Sequence, residues 1–227
     1  MPKYSNNDHY LDAATGVLKN RLGITSQITL EKIEADLASI RSYELAINPL
    51  HGSFDLAHLQ ALHYYLFQDV YEWAGQLRDI DISKGSSFFA HHTHIVTAAK
   101  PIFTKLAADK NLTGLSKELF SNKAAHYLGE INALHPFREG NGRVQREFIS
   151  HLAYNNGFSI EWKNIDPQEL LQAAIESFKT GDCSKFTEHI HVNLKTLNME
   201  TECHLSRENP HEQPQQPEIE PDDDMKR

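Results

Sequence analysis

Most segments of the chain before Ser206 repeat their apolar residues at the spacing of an α-helix. Such spacing places the apolar side chains on one face, so each segment predicts an amphipathic helix that buries a stripe. The first two stripes follow Thr29 and Ser53, whose hydroxyls are candidate helix caps. They consist of Leu30, Ile33, Leu37 and Ile40, and of Leu56, Leu59, Leu62, Leu66 and Val70. Further helices are predicted at about 95–106, 116–134, 143–157, from Asp166 and after Ser184. The expected fold class is therefore all-α.

The composition changes sharply near Ser206. Residues 206–227 are rich in Pro, Gln, Asp and Glu and contain few apolar residues, so they cannot bury enough surface to offset the entropy of ordering. We expect a single helical domain over residues 1–200 and a disordered acidic, Pro- and Gln-rich tail over residues 206–227. A body of this length can bury one sizeable hydrophobic core.

The overall charge limits the classes of partner. A net charge of -9 and a pI near 5.8 oppose non-specific nucleic-acid binding, which needs clustered Lys and Arg. Cys183 and Cys203 lack CxxC spacing, and no apolar stretch resembles a signal peptide or a membrane span. We therefore expect no direct nucleic-acid binding, no membrane association and a cytoplasmic location.

One segment departs from helical spacing. Residues 77–83 alternate between apolar and polar types, and residues 84–87 supply a turn before Phe88 and Phe89. Alternation with a period of two predicts a strand, so we expect a small β-hairpin lying on the helices. An exposed strand edge can dock the extended backbone of a partner, although the pattern also suits a plain connector.

The run HPFREGNGRVQR at residues 135–146 combines several groups that phosphate chemistry needs. Pro136 disfavours helical dihedrals at the preceding residue, so the fourth helix should end near His135 and leave its imidazole facing the loop as a candidate general base. Gly140, Asn141 and Gly142 can adopt positive-φ conformations that turn consecutive N–H groups inward. A helix beginning near Arg143 would add its positive end to this anion site.

The remaining residues of the run fit a nucleotide substrate. Arg143 and Arg146 are three positions apart, so both can reach the same anion. Glu139 can hold Mg²⁺ together with phosphate oxygens, since Mg²⁺ needs only one or two carboxylates. Phe137 is expected to anchor the loop to the core and to have no chemical role. Each feature alone is common in surface loops, but their combination predicts a nucleotide-using transferase.

The run resembles the signature of the Fic family, HxFx(D/E)GNGRxxR, at every fixed position. Residues 12–20, DAATGVLKN, and residues 70–78, VYEWAGQLR, also resemble the bacterial cell-filamentation branch of that family. The resemblance covers roughly residues 4–195. It implies a helical Fic-type domain and a protein adenylyltransferase, which transfers AMP from ATP to a Tyr, Thr or Ser hydroxyl of another protein and releases pyrophosphate.

The resemblance also implies individual roles. His135 would take the proton from the target hydroxyl, and Glu139 would hold the Mg²⁺ that bridges the α- and β-phosphates. The 140–142 amides and the Asn141 side chain would cradle the phosphates, with Arg143 toward the β-phosphate and Arg146 toward the γ-phosphate. The hairpin would be the family's flap, which pairs with the main chain of an extended target segment. Its candidate docking residues are Leu77, Arg78, Asp79, Ile80, Asp81, Ile82, Phe88 and Phe89.

Many Fic proteins are inhibited by a glutamate from an [S/T]xxxE[G/N] helix, which pairs with the second motif arginine. This chain contains no such sequence, and the nearest approach, HLSREN at residues 204–209, has His at the Ser or Thr position. We therefore expect a small antitoxin to supply the glutamate in trans. The branch that the chain resembles is associated with DNA gyrase and topoisomerase IV as targets, whereas secreted Fic effectors modify host GTPases, which leaves a host cytosol as the alternative location.

Three other functions remain open from the sequence. The same site could transfer UMP or phosphocholine, or the chain could bind a nucleotide as a non-catalytic regulator. A metal protein is the third, because the fourteen histidines include His91, His92 and His94 and the pair His189 and His191. Those spacings match no common zinc motif, so we interpret them as ordinary polar histidines of loops and helices.

Overall fold

The computed structural model describes residues 8–84 and 87–197. In this part of the chain the helices are α1 Gln27–Ile47, α2 Leu56–Phe67, α3 Ile95–Ala108, α4 Lys117–Leu134, α5 Asn141–Tyr154, α6 Pro167–Thr180 and α7 Ser184–Asn193. The strands are β1 Ser83–Lys84, β2 Ser87–Phe88, β3 Phe158–Ile160 and β4 Leu194–Thr196. Short 3-10 turns lie at His92–His94, Lys110–Leu112 and Trp162–Asn164. The predicted all-α fold class is confirmed, whereas the predicted tail and the sequence at residues 204–209 lie outside the described residues.

Helix α4 lies at the centre of the core and contacts α3, α5, α6 and α7. Its buried face carries Phe120, Ala124, Tyr127 and Ile131, all fully excluded from solvent. Burying one large apolar side chain contributes about 2–3 kcal/mol, so this face fixes α4 against its neighbours. The C-terminus of α4 and the N-terminus of α5 are thereby held close together, with residues 135–140 as the loop between them.

The buried face of α1 differs from the prediction. Its buried residues are Leu30, Glu34, Ala38 and Leu45, whereas Ile40 of the predicted stripe is 56% exposed. The reason is Glu34, whose carboxylate accepts hydrogen bonds from Tyr71 and Arg143 inside the protein. The buried face of α1 therefore includes this charged residue, which the apolar spacing left out.

Two of the predicted helix caps are also wrong. Ser26 caps α1 in place of Thr29, and Asp55 caps α2 in place of Ser53. The Asp55 carboxylate accepts from the His58 N–H at 2.8 Å. Short polar side chains cap helices equally well at neighbouring positions, so the sequence alone does not distinguish them.

The predicted hairpin is present but shorter than expected. Strands β1 and β2 pair antiparallel, with Ser83 opposite Phe88 and Lys84 opposite Ser87. Residues 77–82 form no strand, because the Arg78 N–H donates to the carbonyl oxygen of Pro136 at 2.9 Å and ties this segment to the loop after α4. A second sheet, β3 with β4, was not predicted; Leu194 begins β4 instead of continuing the last helix.

Candidate active site

His135 stands at the end of α4 in a left-handed conformation, with φ 44 and ψ 61. Its N–H still donates to the Ile131 carbonyl oxygen, so the residue closes the helix and turns the chain toward the loop. This agrees with the expectation from Pro136, which excludes the right-handed helical region at the residue before it. The imidazole therefore lies where α4 ends and the loop begins.

The contacts of the His135 ring define its tautomer. Nδ1 lies 3.2 Å from the carbonyl oxygen of Asn132, and a carbonyl can only accept, so Nδ1 carries the proton. Nε2 then has a lone pair, as a general base requires. The Phe89 ring stacks on the imidazole with centroids 3.7 Å apart and planes at 11°, which holds the ring in this orientation.

The loop after His135 is anchored from α2 by a histidine that the sequence analysis missed. The ring of His63 stacks on the fully buried Phe137 at 3.9 Å. The Gly75 N–H donates to His63 Nδ1 at 2.8 Å, so Nε2 donates to the Glu139 carbonyl oxygen at 3.0 Å. Burial lowers the pKa of His63 to about 3, which keeps the ring neutral. Phe137 thus lies where an anchor must.

The Asn141 side chain holds the loop closed. It accepts from the Phe137 N–H at 2.9 Å and donates to the Phe137 carbonyl oxygen at 2.7 Å, and the residue is 3% exposed. Both polar atoms of the side chain are bonded to the Phe137 backbone, so its predicted contact with the phosphates stays a prediction.

The glycines do not form the predicted run of positive-φ residues. Gly140 has φ 80, whereas Asn141 and Gly142 already belong to the first turn of α5. A Cβ on Gly140 would also lie 2.5 Å from the Phe67 ring, so both conformation and space require glycine there. The amides of Asn141 and Gly142 are the first of the helix, where N–H groups have no intrahelical acceptor, and they present the positive helix end. The structure therefore has a helix N-terminus at these residues in place of the predicted nest, and such a terminus can bind an anion.

The two motif arginines lie side by side at this helix end. The Arg146 guanidinium lies 3.5 Å from where a Cβ on Gly142 would be, directly over the first turn of α5. Burial, followed by the charge of Arg143, lowers the pKa of Arg146. Arg143 donates through Nη2 to Glu34, and its Cζ lies 4.7 Å from the centroid of the Phe67 ring. Two adjacent cations repel one another, so the pair favours binding of an anion.

Glu139 lies in the loop, two residues before α5 begins. Its Oε1 accepts from the Gly140 N–H at 3.2 Å, and it lines a cavity of about 220 Å³ together with Glu34, Tyr71 and Arg143. One carboxylate beside a phosphate-binding helix end is a donor set that suits Mg²⁺, which takes its other ligands from phosphate oxygens and water. The residues present therefore fit the metal that the sequence analysis expected.

Arg78, which was expected on the docking face of the flap, is buried below it. Its side chain is 2% exposed and donates to the carbonyl oxygens of His135 at 2.9 Å, Ile80 at 2.8 Å and Ala90. It therefore joins both ends of the flap to the catalytic loop and cannot touch a target. Asp79 and Asp81 are exposed, and Leu77, Ile80, Ile82 and Phe89 are half-buried.

At the base of the flap, Asp81 contacts His91 and His92, which follow the hairpin in the chain. It accepts from the His92 N–H at 2.8 Å, and its oxygens lie 3.0 Å from His91 Nε2 and His92 Nδ1. The bond from the His92 N–H lowers the pKa of Asp81. The contact of Asp81 with these histidines was not predicted, because ten residues or more separate them along the chain and only the folded hairpin brings them together.

The sequence profile of the Fic/DOC family matches residues 53–153. A probable protein adenylyltransferase, y4lH of Sinorhizobium fredii, is 41% identical over 177 residues, which cover 78% of this chain and 90% of that protein. The chain belongs to the Fic/DOC family. The resemblance found in the sequence is thereby confirmed.

Other members of the Fic/DOC family are also similar. Protein adenylyltransferase VbhT of Bartonella schoenbuchensis is 50% identical over 179 residues, which cover 78% of this chain but 37% of VbhT, so the chain spans little more than a third of that relative. The N-terminal Fic domain of a cell filamentation protein from Bartonella quintana, solved with bound ADP, superposes with a TM-score of 0.78 at 27% identity over 83% of this chain and 95% of that one. The BepC protein of Bartonella tribocorum, solved with bound AMPPNP, superposes with a TM-score of 0.77 at 26% sequence identity, over 83% of this chain and 97% of that one.

Proposed function

We propose that this Fic protein is a protein adenylyltransferase, which transfers AMP from ATP to a hydroxyl of a target protein. The observation that carries the proposal is the tautomer of His135, whose protonated Nδ1 faces the Asn132 carbonyl oxygen and leaves Nε2 as a base beside an anion-binding helix end. The relatives that are named protein adenylyltransferases support it, as do the ADP and AMPPNP bound to the structural neighbours.

In this reaction His135 Nε2 takes the proton from the target hydroxyl as the oxygen attacks the α-phosphorus. The new O–P bond forms while the bond to the bridging oxygen of the β-phosphate breaks, and pyrophosphate leaves with that electron pair. Phe89 keeps the imidazole oriented during the step. Positioning of the two reactants and stabilisation of charge supply most of the catalysis of such a transfer.

The phosphates would bind at the N-terminus of α5. The amides of Asn141 and Gly142 and the positive helix end would hold phosphate oxygens, with Arg143 toward the β-phosphate and Arg146 toward the γ-phosphate. Glu139 would hold a Mg²⁺ ion together with phosphate oxygens, and a bound ion would supply positive charge to the leaving pyrophosphate. A local positive site is needed because the chain as a whole carries a net charge of -9.

We place the target at the flap. The short strands β1 and β2 offer an edge to which an extended segment can add by main-chain pairing, with its hydroxyl presented to His135. The residues proposed to face the target are Leu77, Asp79, Ile80, Asp81, Ile82 and Phe89, and the side chain of Phe88, which was also expected there, lies outside the described part of the structure. Arg78 is withdrawn from this set because it is buried.

Control by a glutamate in trans is part of the proposal. Arg143 is already paired with Glu34, whereas Arg146 forms no ion pair with any residue in the two described ranges. An antitoxin carrying an inhibitory glutamate would therefore bind Arg146 and occupy the γ-phosphate position, which makes the protein the toxin of a toxin–antitoxin pair.

Among the described residues, none of the helices has the length and apolar character that a membrane span requires.

For the target we propose DNA gyrase or topoisomerase IV in the cytoplasm of the producing cell. The competing proposal is a secreted effector, because several structural neighbours are VirB-translocated effector proteins of Bartonella. The two proposals differ in the lysate that contains the target, so bacterial and animal-cell lysates distinguish them.

The experiment that tests the function compares two labels. The purified chain is incubated with magnesium, lysate and ATP labelled with ³²P at either the α- or the γ-phosphate. Adenylyl transfer labels a protein band from α-labelled ATP alone, because the γ-phosphate leaves with pyrophosphate. Labelling from γ-labelled ATP would indicate phosphoryl transfer and contradict the proposal, as would ATP binding without label in any lysate.

A further inference from the structure

Glu34 of α1 is a buried carboxylate in direct contact with the motif. The residue is 4% exposed, and it accepts hydrogen bonds from the Tyr71 hydroxyl and from Arg143 Nη2. Burial, followed by the charge of Glu34, raises the pKa of Tyr71, so the phenol stays protonated and remains a donor. A buried carboxylate is costly unless it is paired and hydrogen-bonded, and here both partners are present.

These contacts hold the Arg143 guanidinium on two sides. Glu34 fixes one terminal nitrogen, and the Phe67 ring lies against the plane of the group, with Cζ 4.7 Å from its centroid. A guanidinium has five N–H donors in a rigid fork, so Nη1 and Nε stay available when Nη2 is bound to Glu34. The Arg143 side chain is 30% exposed, and it reaches the same cavity as Glu139.

We propose that Glu34 is a positioning residue for adenylyl transfer, which fixes Arg143 so that its remaining donors meet the β-phosphate when ATP binds. A free arginine loses rotamer freedom on binding a phosphate, whereas Arg143 has lost that freedom on folding. Tyr71 and Phe67 complete the support by fixing Glu34 and the guanidinium plane in turn. The inference rests on the proposed function, because it gives Arg143 a phosphate to bind.

The opposite role for Glu34 makes a different prediction. A carboxylate beside the phosphate site could compete with ATP for Arg143, and its removal would then strengthen ATP binding and transfer. The positioning role predicts the reverse, since loss of Glu34 frees the guanidinium to adopt rotamers that do not reach the β-phosphate. The sign of the effect therefore separates the two roles.

The test is a double-mutant cycle between Glu34→Ala and Arg143→Ala, with ATP affinity and transfer rate per folded enzyme as readouts. We expect Glu34→Ala to weaken ATP binding about fivefold and to lower kcat/KM about tenfold, as for loss of one charge-assisted contact. In the Arg143→Ala background Glu34→Ala should change neither quantity. Glu34→Gln can keep its amide oxygen toward Arg143 and turn its NH₂ group toward the Tyr71 hydroxyl, which can accept, so it should retain at least about a third of the activity.

The matched control is Glu44→Ala on the same helix. Glu44 also accepts from an arginine and a tyrosine, at 2.8 Å from Arg41 Nη1 and 3.0 Å from the Tyr65 hydroxyl, but it has no contact with the motif. It should leave ATP affinity and transfer unchanged. Equal effects of Glu34→Ala with and without Arg143, tighter ATP binding in Glu34→Ala, or a loss of stability with unchanged kinetics would each overturn the positioning role.

The two readouts separate failure of this inference from failure of the proposed function. ATP affinity is measured by calorimetry with no target present, so coupling between Glu34 and Arg143 is detectable in an enzyme whose target is unknown. Coupling in affinity without adenylyl transfer in any lysate would retain the role of Glu34 in holding Arg143 and reject the proposed chemistry. Adenylyl transfer without coupling would retain the chemistry and reject the role of Glu34.

Discussion

Arg78 Nε donates to the carbonyl oxygen of His135 at 2.9 Å, from a position where its side chain is excluded from solvent. The same guanidinium binds the carbonyl oxygens of Ile80 and Ala90, on either side of the hairpin. The catalytic loop and the base of the flap are therefore one rigid unit. A target segment that pairs with the flap, as proposed, would thereby be placed at a fixed distance from His135.

Arg78→Ala should lower the free energy of unfolding by about 3 kcal/mol or more, because three carbonyl oxygens lose a charged donor. Guanidinium unfolding measures this change. The control is Arg41→Ala, whose partly exposed pair with Asp69 should contribute about 1 kcal/mol or less. Equal losses in the two variants would contradict the role of Arg78 in joining the loop after α4 to the flap.

His63→Gln should reduce the dependence of stability on pH. The pKa of His63 is about 3 in the folded protein against 6.5 for an ordinary histidine, so between these values the unfolded chain binds the extra proton. The contribution is fully present above pH 6.5 and is lost toward pH 3, at about 1.4 kcal/mol per pH unit. Unfolding between about pH 6 and pH 5 should therefore have a shallower pH slope in the variant. His58, with a pKa of about 4, titrates in both proteins and gives the remaining slope. An unchanged slope would contradict the buried neutral state of His63.

Gly140→Ala should destabilise the protein more than Gly157→Ala. Both glycines have positive φ, at 80 and 75, but a Cβ on Gly140 meets the Phe67 ring at 2.5 Å while one on Gly157 meets nothing within 4 Å. We expect a loss of about 1 kcal/mol from conformation alone at Gly157 and about 2–4 kcal/mol at Gly140, where overpacking adds to it. Thermal unfolding compares the two variants, and similar losses would rule out the steric contribution.

Asn141→Ala tests whether the Asn141 amide group serves the loop or the ligand. Loss of the two hydrogen bonds to Phe137 should cost about 2 kcal/mol in unfolding free energy. ATP affinity should then fall only as far as the loop loosens, and ATP should recover part of the lost thermal stability. A variant of unchanged stability that no longer binds ATP would instead assign the Asn141 side chain to the phosphates.

The sequence predicted the parts of the fold and site that depend on neighbours along the chain. The end of α4 at His135 follows from Pro136, and the start of α5 follows from the glycines. The prediction of consecutive positive-φ residues was wrong because a single left-handed Gly140 is enough to begin the helix.

His63 and Glu34, which support the motif, could not be predicted because they come from segments far from it along the chain. His63 contacts the Glu139 carbonyl oxygen across 76 positions, and Glu34 contacts Arg143 across 109. The available signal was a polar residue within an apolar stripe, with His63 between Leu62 and Leu66 and Glu34 between Leu30 and Ala38. That signal shows that a buried partner must exist, but the sequence does not identify the partner.

The most direct test of the account is AMP transfer by His135→Ala beside the unmodified protein, with target bands labelled from α-³²P-ATP. Nε2 acts as the base in the proposed step, so the variant should still bind ATP while its transfer rate falls about 10²–10⁴-fold. Rates are compared per folded enzyme, because the variant also loses the stacking on Phe89. Transfer at an undiminished rate by the folded variant would contradict the role of His135 and the mechanism that depends on it.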